Sequence, residues 1–312
     1  MGRCLQRPFS LVGLAMSETG AAIAFSFLGT GAPPVSLRRS GPAHLIETDE
    51  CKVLIDCGSG VSQRLVAAGA RGADIDLLIV THEHSDHLVD FYQLVVSSWH
   101  QGRSKPWRVL APAPALANMQ AQYQAFARER ALRIAFEKRP DATGLQIVFE
   151  ELREGRISGL GRLAIDAFLV DHHPVEPAFG LTLSMADTRI VFSGDTRLTP
   201  ALERAAQGCD LLVSEVFVAS EMPVVAGVRS AETVASVQSY HMTPTVVAGL
   251  AARTGARALA LTHIVPPAAD TAALAREVRQ AGYLGPLIVG EDLMRLEWPE
   301  RLLRWNGATI GF

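Results

Sequence analysis

The sequence predicts an α/β protein, an αββα sandwich in which two mixed β-sheets pack face to face and helices cover their outer sides. Short apolar segments with strand character recur in both halves of the chain, separated by polar or glycine-rich turns. Segments with helical periodicity flank these strands. With 312 residues, of which 48% are hydrophobic and 20% charged, the chain has the length and composition of a globular protein with a large core.

The first half of the chain alternates strands and helices. The predicted strands lie at residues 23–28, 43–47, 52–56, 74–80 and 107–110. The predicted helices lie at residues 60–68, 87–99 and 115–136. In the last helix Leu116, Met119, Tyr123 and Phe126 recur at spacings of three and four, which makes one apolar face. This face packs on the core or on a second copy of the chain, so a homodimer is one expectation.

The second half is richer in strands. The predicted strands lie at residues 145–150, 163–170, 180–184, 189–192, 211–213, 257–261, 287–289 and 294–298. Two helices are predicted at 243–253 and 271–281, the first with Pro244 in its opening turn. No repeat or clear linker divides the chain, so residues 21–312 are interpreted as one domain with a helical insert at about 88–140.

Residues 1–20 are interpreted as an N-terminal extension, either disordered or preceding a true start at Met16. A short signal peptide is the alternative, because Arg3 and Arg7 precede the apolar run from Phe9 to Met16. The four cysteines form no C-x-x-C pair and favour a reducing compartment. We therefore expect a cytoplasmic protein, with export as the weaker alternative. No apolar stretch approaches the 18 residues that would cross a membrane.

The segment from Thr81 to His87 is the most informative in the chain. Three imidazoles and the candidate carboxylate ligand Asp86 fall within six residues, directly after the apolar strand that ends at Val80. Imidazole suits zinc and similar metals, and a carboxylate adds an oxygen donor. A solvated, histidine-rich loop is the alternative.

Three further candidate ligands follow strands downstream, namely His172, Asp195 and His263. A single histidine at a strand end is more often a hydrogen-bonded structural residue. All three occur after apolar strands, however, and together they favour a metal site completed by distant loops.

The order H-x-H-x-D-H, His, G-D-T and T-H resembles the metallo-β-lactamase superfamily, and within it the branch of arylsulfatase-like hydrolases and ribonuclease Z. The resemblance extends over about residues 26–265. The matching segments include 27–31, 39–42, 54–58, 172–180, 193–196 and 241–244. A glutamate would replace His84 in the diiron flavoproteins of the superfamily, so an oxygen-reducing centre is not expected.

The resemblance implies a dinuclear zinc site with a bridging water or hydroxide as the nucleophile. It assigns His82, His84 and His172 to one zinc, Asp86, His87 and His263 to the second, and Asp195 to both. Asp86 and Asp195 thus belong to the catalytic centre as well as to the ligand set. Nitrogen and oxygen donors also admit Mn²⁺, Fe²⁺ or Co²⁺.

Three further residues receive roles around these ligands. Asp56 is expected to accept the free ring N–H of a ligand histidine and fix its tautomer. The resemblance places His241 towards the substrate, where it would donate a proton to the leaving group. Glu215 would orient His241; a histidine that merely caps the helix starting near Thr243 is the alternative. His172, two residues before a Pro-Val pair, is chosen as the ligand over His173.

The reaction we expect is hydrolysis of a small-molecule ester: a sulfate ester, a phosphodiester, or a carboxylic ester or lactone. The alternative is a ribonuclease Z-like tRNA 3′-processing endonuclease. That family usually inserts a long arm between the third histidine and the bridging aspartate, whereas His172 and Asp195 are only 23 positions apart here. The net charge of −3 also gives no attraction to a nucleic-acid backbone, so nucleic acid is not an expected partner.

Two other interpretations remain. A metal-binding sensor or scaffold without turnover is one. The other concerns the helical insert, whose Trp99, Trp107, Tyr123 and Phe126 either roof the metal centre and receive the organic group of the ester or pack into the core or a dimer interface.

Overall fold

The computed structural model describes residues 22–139 and 141–312, and its strands are numbered β1–β16 in chain order. The predicted N-terminal extension, residues 1–20, lies outside the described residues. The strands of the first half, β1 to β6, are Ile23–Gly29, Ala43–Thr48, Lys52–Ile55, Leu77–Ile79, Trp107–Ala111 and Ile147–Glu151. Strands β7 to β13 are Gly155–Ile157, Ala164–His172, Val175–Met185, Thr188–Phe192, Leu211–Phe217, Leu259–Val265 and Leu287–Val289. The last three, β14 to β16, are Arg295–Trp298, Leu302–Trp305 and Ala308–Gly311.

These strands form two mixed sheets. Within the described residues the first sheet has nine strands in the order β16-β15-β14-β1-β2-β3-β4-β5-β6. The second has seven, in the order β13-β12-β11-β10-β9-β8-β7. Strands β3 to β6 run parallel to one another, and so do β10 to β13. Parallel strands place their carboxyl ends at one edge of a sheet, which is where ligands bind in open α/β sheets.

Eight α-helices in the described part of the chain cover the sheets. Helices α1 to α4 are Val61–Ala67, Phe91–His100, Ala113–Ala125 and Ala127–Glu137. Helices α5 to α8 are Pro200–Ala206, Ala231–Gln238, Pro244–Thr254 and Thr271–Gln280. None of these helices is long and apolar enough to cross a membrane.

Three apolar layers confirm the predicted αββα sandwich. The central layer joins the inner faces of the sheets, for example Phe25 and Ile46 of the first sheet with Ile165 and Leu183 of the second. A second layer packs α1, α2 and α3 on the outside of the first sheet. A third packs α5, α7 and α8 on the outside of the second sheet.

Some element boundaries differ from the prediction. The helix predicted at 115–136 is two helices, because Phe126 adopts a non-helical conformation between α3 and α4. The helix predicted from His87 begins instead at Phe91, after a short 3₁₀ turn at Ser85–His87. Apolar spacing alone does not register such local breaks, since the buried face continues across them.

The buried parallel strands β11 and β12 carry two of the predicted site residues, Glu215 and His263. Both strands are mostly apolar and are buried along their whole length, as strands covered on both faces are. Their register shifts between Glu215 and Val216, which pair with Thr262 and Ile264, so His263 is an extra residue in a β-bulge. His263 also has a positive φ of 42°. A bulge of this kind redirects one side chain out of the strand's alternation.

Candidate metal centre

The predicted ligands gather at one end of the sandwich. They lie at the ends of strands or in the turns that follow them. His82 and His84 follow β4, and His172 is the last residue of β8. Asp195 lies in the turn after β10, and the bulge in β12 supplies His263. Seven side chains form what is called here the histidine–aspartate cluster: His82, His84, Asp86, His87, His172, Asp195 and His263.

Three ring nitrogens converge in the first half of this cluster. The Nδ1 atom of His84 lies 3.1 Å from Nε2 of His82 and 3.1 Å from Nε2 of His172. Nitrogen donors placed about 2.0–2.1 Å from a tetrahedral zinc ion would lie about 3.3 Å from one another. The spacing of the three nitrogens therefore fits a single small cation between them.

Asp86 joins two further imidazoles in the second half of the cluster. Its Oδ2 lies 3.3 Å from Nε2 of His263 and 3.6 Å from Nε2 of His87. The Nε2 atom of His87 is buried without a hydrogen-bond partner among the described residues. A buried ring nitrogen of this kind, facing two other donors, is suited to a metal ion.

One oxygen of Asp195 faces both halves. Its Oδ2 is 3.1 Å from Nε2 of His263 and 3.3 Å from Nε2 of His87. The same atom is 3.9 Å from Nε2 of both His82 and His172. Asp195 is therefore the residue that connects the two donor groups, which is the position that the sequence predicted for a bridging ligand.

Asp56 holds the cluster from behind. Its Oδ2 accepts a hydrogen bond of 2.8 Å from Nδ1 of His87, and its Oδ1 accepts one of 2.8 Å from the backbone N–H of Thr81. Asp56 itself has a positive φ of 61°. The contact to Nδ1 leaves Nε2 of His87 as the free donor, which is the orientation that a metal-binding histidine needs. The tautomer-fixing partner predicted from the sequence thus lies beside His87.

Burial and neighbouring charges set the ionisation of the cluster. Burial lowers the pKa of His82 well below its ordinary value and lowers that of His172 to about 4. Burial opposes ionisation of Asp195, but the facing His263 and His87 outweigh it and hold its pKa well below the ordinary range. Neutral imidazole and ionised carboxylate are the forms that bind metal ions.

His87 is in a different electrostatic environment from His82. Burial alone would lower the pKa of His87, but Asp195, Asp56 and Asp86 outweigh burial and raise it well above the ordinary value. Three carboxylates around one imidazole concentrate negative charge at this half of the cluster, which favours a bound cation.

His241 and Glu215 form a buried pair at the side of the cluster. Glu215 accepts a hydrogen bond of 3.1 Å from Nδ1 of His241 through Oε2, and one of 2.6 Å from the backbone N–H of Met242 through Oε1. Burial opposes the charged imidazolium, but Glu215 outweighs it and raises the pKa of His241. For Glu215, burial is the largest cause and raises the pKa of its carboxyl group. The Thr243 side chain caps α7 immediately afterwards, so a residue other than His241 performs the capping role.

His241 also approaches the cluster closely enough to be considered a donor. One of its ring nitrogens lies within 4.8 Å of ligand atoms of Asp195 and His263.

His173, the neighbour of the ligand His172, is exposed and contacts Glu176, whereas His172 is buried in the cluster. The structure thus brings together all ten predicted site residues, the seven ligands with His241, Asp56 and Glu215, and leaves His173 outside the site.

A cavity of about 300 Å³ opens above the cluster. Its lining includes His84, Asp86, Asp195, His241 and His263 on the polar side. The remaining wall is mostly apolar, with one cation, and consists of Pro33, Pro34, Met222, Arg229, Val237, Tyr240 and Val265 together with Ser85.

Of the two interpretations of the insert, packing into the core is confirmed for Trp99 and Trp107, and an aromatic roof over the metal centre is wrong. Trp99, on α2, and Trp107, on β5, are buried in the apolar layer between the first sheet and its helices. No described residue of the predicted insert beyond position 87 lines the cavity. Segments of the second half of the chain, together with Pro33 and Pro34, occupy that place instead.

Three residues around the site had no assigned role. Thr81 donates its hydroxyl to Asp56 and contacts Nδ1 of His82. The backbone carbonyl of Tyr240 lies 3.1 Å from Nδ1 of His172 and accepts its N–H, so it fixes that ring. Adjacency to the ligand motif and to His241 could have indicated Thr81 and Tyr240. Nothing in the sequence around Arg229 distinguishes it.

Two facing sheets with paired donor groups at the strand ends define a metallo-hydrolase class of protein. The sequence profile described as the beta-lactamase superfamily domain matches residues 52–264. A ribonuclease Z of Mycobacterium sp. (strain KMS) is 31% identical over 279 residues, which span 88% of this chain and 96% of the relative. The chain belongs to the metallo-β-lactamase superfamily, in its ribonuclease Z-like branch, and is a metal-dependent hydrolase.

Solved structures agree on the fold. The metallo-beta-lactamase fold protein YhfI of Bacillus subtilis superposes with a TM-score of 0.68 at 16% identity, covering 89% of this chain and 99% of that one. The short form of human tRNase Z superposes with a TM-score of 0.61 at 20% identity, covering 88% and 98%.

The short distance in sequence between His172 and Asp195 does not distinguish this chain from the mycobacterial ribonuclease Z. Strands β9 and β10 fill the stretch between His172 and Asp195 and form a compact meander with β8, without an arm, as the spacing predicts. However, 88% of 312 residues is about 275, nearly the whole of the 279 aligned positions. The aligned part of the mycobacterial ribonuclease Z therefore has no room for a long inserted arm either. The expectation that nucleic acid is not a partner loses its main support.

Proposed function

We propose that this protein is a dinuclear metal-dependent phosphodiesterase of the ribonuclease Z type, with precursor tRNA carrying a 3′ extension as its substrate. The observation that carries the proposal is the identity of 31% with a ribonuclease Z along 96% of that relative's length. The geometry of the cluster is compatible with phosphodiester cleavage, since two adjacent donor groups share one carboxylate oxygen.

In this proposal the cluster holds two zinc ions, with Mn²⁺, Fe²⁺ or Co²⁺ as substitutes. His82, His84 and His172 would hold one, Asp86, His87 and His263 would hold the other, and Asp195 would contribute to both. Bound divalent cations polarise a phosphoryl oxygen and lower the pKa of water towards neutrality. Asp56 keeps Nε2 of His87 directed at the second ion, and the carbonyl of Tyr240 does the same for Nε2 of His172.

His241 supplies the proton for the leaving oxygen. Its Nδ1 is engaged by Glu215, which leaves Nε2 for the cavity, and the pair stabilises the protonated ring. Glu215 acts through His241 and is a positioning residue. It is itself fixed by the N–H of Met242, so the pair forms a rigid unit at the side of the cavity.

Cleavage of a precursor tRNA in vitro tests the proposal. We expect the purified protein to release the 3′ extension in the presence of Zn²⁺ or Mn²⁺, to lose this activity on chelation, and to regain it when metal is returned. Hydrolysis of a chromogenic phosphodiester without any cleavage of tRNA precursors would refute the RNA substrate while leaving the metal centre intact.

Hydrolysis of a small-molecule ester is the second candidate, favoured by the compact cavity of about 300 Å³ with its largely apolar wall. A sulfate ester, a phosphodiester or a carboxylic ester or lactone would fit such a site. A panel of chromogenic esters, assayed beside precursor tRNA, separates the candidates by their kcat/KM values. A small ester turned over with much higher kcat/KM than tRNA would support the second candidate.

A further inference from the structure

Arg229 is a cation that the proposed chemistry has not used. It lines the cavity together with Asp86, Asp195 and His263. Among the described residues no carboxylate forms an ion pair with its guanidinium, although most arginines of the chain have such a partner. Its one side-chain hydrogen bond, of 3.1 Å, goes from Nη1 to the backbone carbonyl of Pro223. Most of its donor capacity is therefore free.

The segment that carries Arg229 is anchored at its base. Residues 222–229, called here the roof strap, close on themselves through two backbone hydrogen bonds between Val225 and Arg229, of 2.9 and 2.8 Å. Met222 is buried in a small cluster with Ala32, Phe217 and Val265. At the other end Ser230 caps α6.

The tip of the roof strap differs from its base. Val228 is 76% exposed, and Val224 and Val225 are also exposed. Arg229 is half-buried and stands at the junction between this exposed tip and α6. The roof strap thus presents the guanidinium of Arg229 to the cavity. The backbone of Arg229 is held by Val225 on one side and by the start of α6 on the other.

A cation beside two proposed metal ions needs an anion. Bound metal ions would repel the guanidinium of Arg229 unless negative charge lay between them. Among the described residues no carboxylate forms an ion pair with Arg229 that would supply this charge. Guanidinium groups bind phosphate in a two-pronged geometry that lysine cannot reproduce. The metal ions would already take the scissile phosphoryl group, so Arg229 is left for a second anionic group.

We propose that Arg229 binds a second anionic group of the substrate, next to the scissile phosphodiester. In RNA this group is the phosphate of the neighbouring linkage. The proposal rests on phosphodiester hydrolysis at the cluster, and a small diester that carries an additional phosphate would use the same contact. Arg229 is thereby a specificity-determining residue that acts mainly on substrate binding.

A matched pair of substrates tests this role. The p-nitrophenyl ester of thymidine 5′-phosphate has one anionic group, and its 3′-phosphorylated form has two. We expect Arg229→Gln to raise KM about tenfold or more for the 3′-phosphorylated ester only, because one charge-assisted pair is lost. Arg229→Lys should restore part of the binding. Equal losses with both esters, or none with either, would overturn the proposal.

Arg128 provides the control. It is exposed on α4 and has no ion pair among the described residues, so Arg128→Gln removes the same charge away from the cavity. This variant should behave like the wild type with both esters. The metal content of all variants should be unchanged.

Two further experiments follow. The first identifies whether the RNA backbone supplies the second anionic group, and the second tests Arg229 separately from the proposed hydrolysis. A precursor tRNA with a neutral methylphosphonate on either side of the cleavage site should make the wild type and Arg229→Gln equal, if the RNA backbone is the source. Equilibrium binding of thymidine 3′,5′-bisphosphate decides the role of Arg229 without turnover. If the wild type binds it no more tightly than Arg229→Gln, Arg229 has no such role, whereas absence of hydrolysis alone refutes only the proposed function.

Discussion

The floor and the roof of the cavity are built differently. The floor is the histidine–aspartate cluster, whose His82, His172 and Asp195 are buried and held by further contacts in the core. The roof consists of the roof strap and the rim loop, residues 33–38, whose Val35 and Leu37 are 98% and 102% exposed. The floor is held from below by the core, whereas the roof is held only at its base.

The rim loop has its own anchor. Arg39, next to the loop, is buried and donates hydrogen bonds of 2.6 Å to the hydroxyl of Thr30 and 2.6 Å to the carbonyl of Gly290. It also forms an ion pair of 2.9 Å with Glu291. Both roof segments therefore have a rigid base and an exposed apolar tip. We infer that the floor determines the reaction and the roof determines the substrate, because fold and metals alone do not encode it.

The largest expected effect comes from removing the shared oxygen of the floor. Asp195→Asn should lower kcat/KM at least about a thousandfold, since charge stabilisation by the metal ions amounts to several kcal/mol. Kinetics on a chromogenic phosphodiester and elemental analysis of metal measure this. Asp166→Asn, which removes an exposed carboxylate paired with Arg156, should have no effect. Equal rates for wild type and Asp195→Asn would show that Asp195 does not connect the two ions.

His241 lies at the boundary of floor and roof. His241→Gln should lower kcat about 10²- to 10⁴-fold, as expected for loss of a proton donor, with metal content and KM largely retained. Glu215→Gln should give a smaller loss, because it alters the orientation of the imidazole and leaves the ring present. The control is His173→Gln, which changes an exposed imidazole next to the cluster. Loss of one metal ion from His241→Gln would identify His241 as a ligand instead.

Asp56 tests the support beneath the floor. Asp56→Asn keeps an acceptor for the N–H of Thr81 but presents an amide to Nδ1 of His87, so it disturbs the orientation of the ring. We expect the metal affinity to fall about 10- to 100-fold with the fold intact. Competition with a coloured chelator measures the affinity. Asp210→Asn, which changes a carboxylate that accepts the N–H of Arg189, is the matched control and should bind metal normally.

The smallest effect on stability is expected in the roof. The double change Val35→Ser and Leu37→Ser should alter the free energy of unfolding by no more than about 0.5 kcal/mol, since both side chains are exposed. Substrate preference should nevertheless change, with KM values shifting differently for precursor tRNA and for small esters. Denaturant unfolding and a substrate panel check the two halves of this prediction. Unchanged preference across the panel would remove the rim loop from substrate selection.

The sequence predicted the floor far better than the roof, for physical reasons. Ligands such as His82, Asp195 and His263 follow apolar strands, and only a few residue types bind metal, so their positions carry a recognisable signal. Asp56 is predicted as well, because the family resemblance covers its segment and a ligand histidine needs an acceptor for its free ring N–H. Arg229, Val228 and the rim loop carry no comparable pattern, since exposed residues are not constrained by packing or by coordination.

The hypothesis that aromatic residues of the helical insert cover the metal centre fails for a related reason. Trp99 and Trp107 are aromatic, and aromatic content alone does not distinguish a pocket wall from a core. Both are buried in the layer between the first sheet and its helices. The αββα fold itself followed from strand and helix periodicity, whereas the break at Phe126 and the bulge at His263 did not, because each depends on local backbone conformation.

The most direct test of the account is the number and position of metal ions in the fully loaded protein. Anomalous diffraction from crystals grown with zinc, together with elemental analysis, should show two ions per chain, about 3.5–4 Å apart. One should contact His82, His84 and His172, the other Asp86, His87 and His263, with Asp195 between them. A single ion per chain in saturated protein, or two ions bound away from Asp195, would contradict the account.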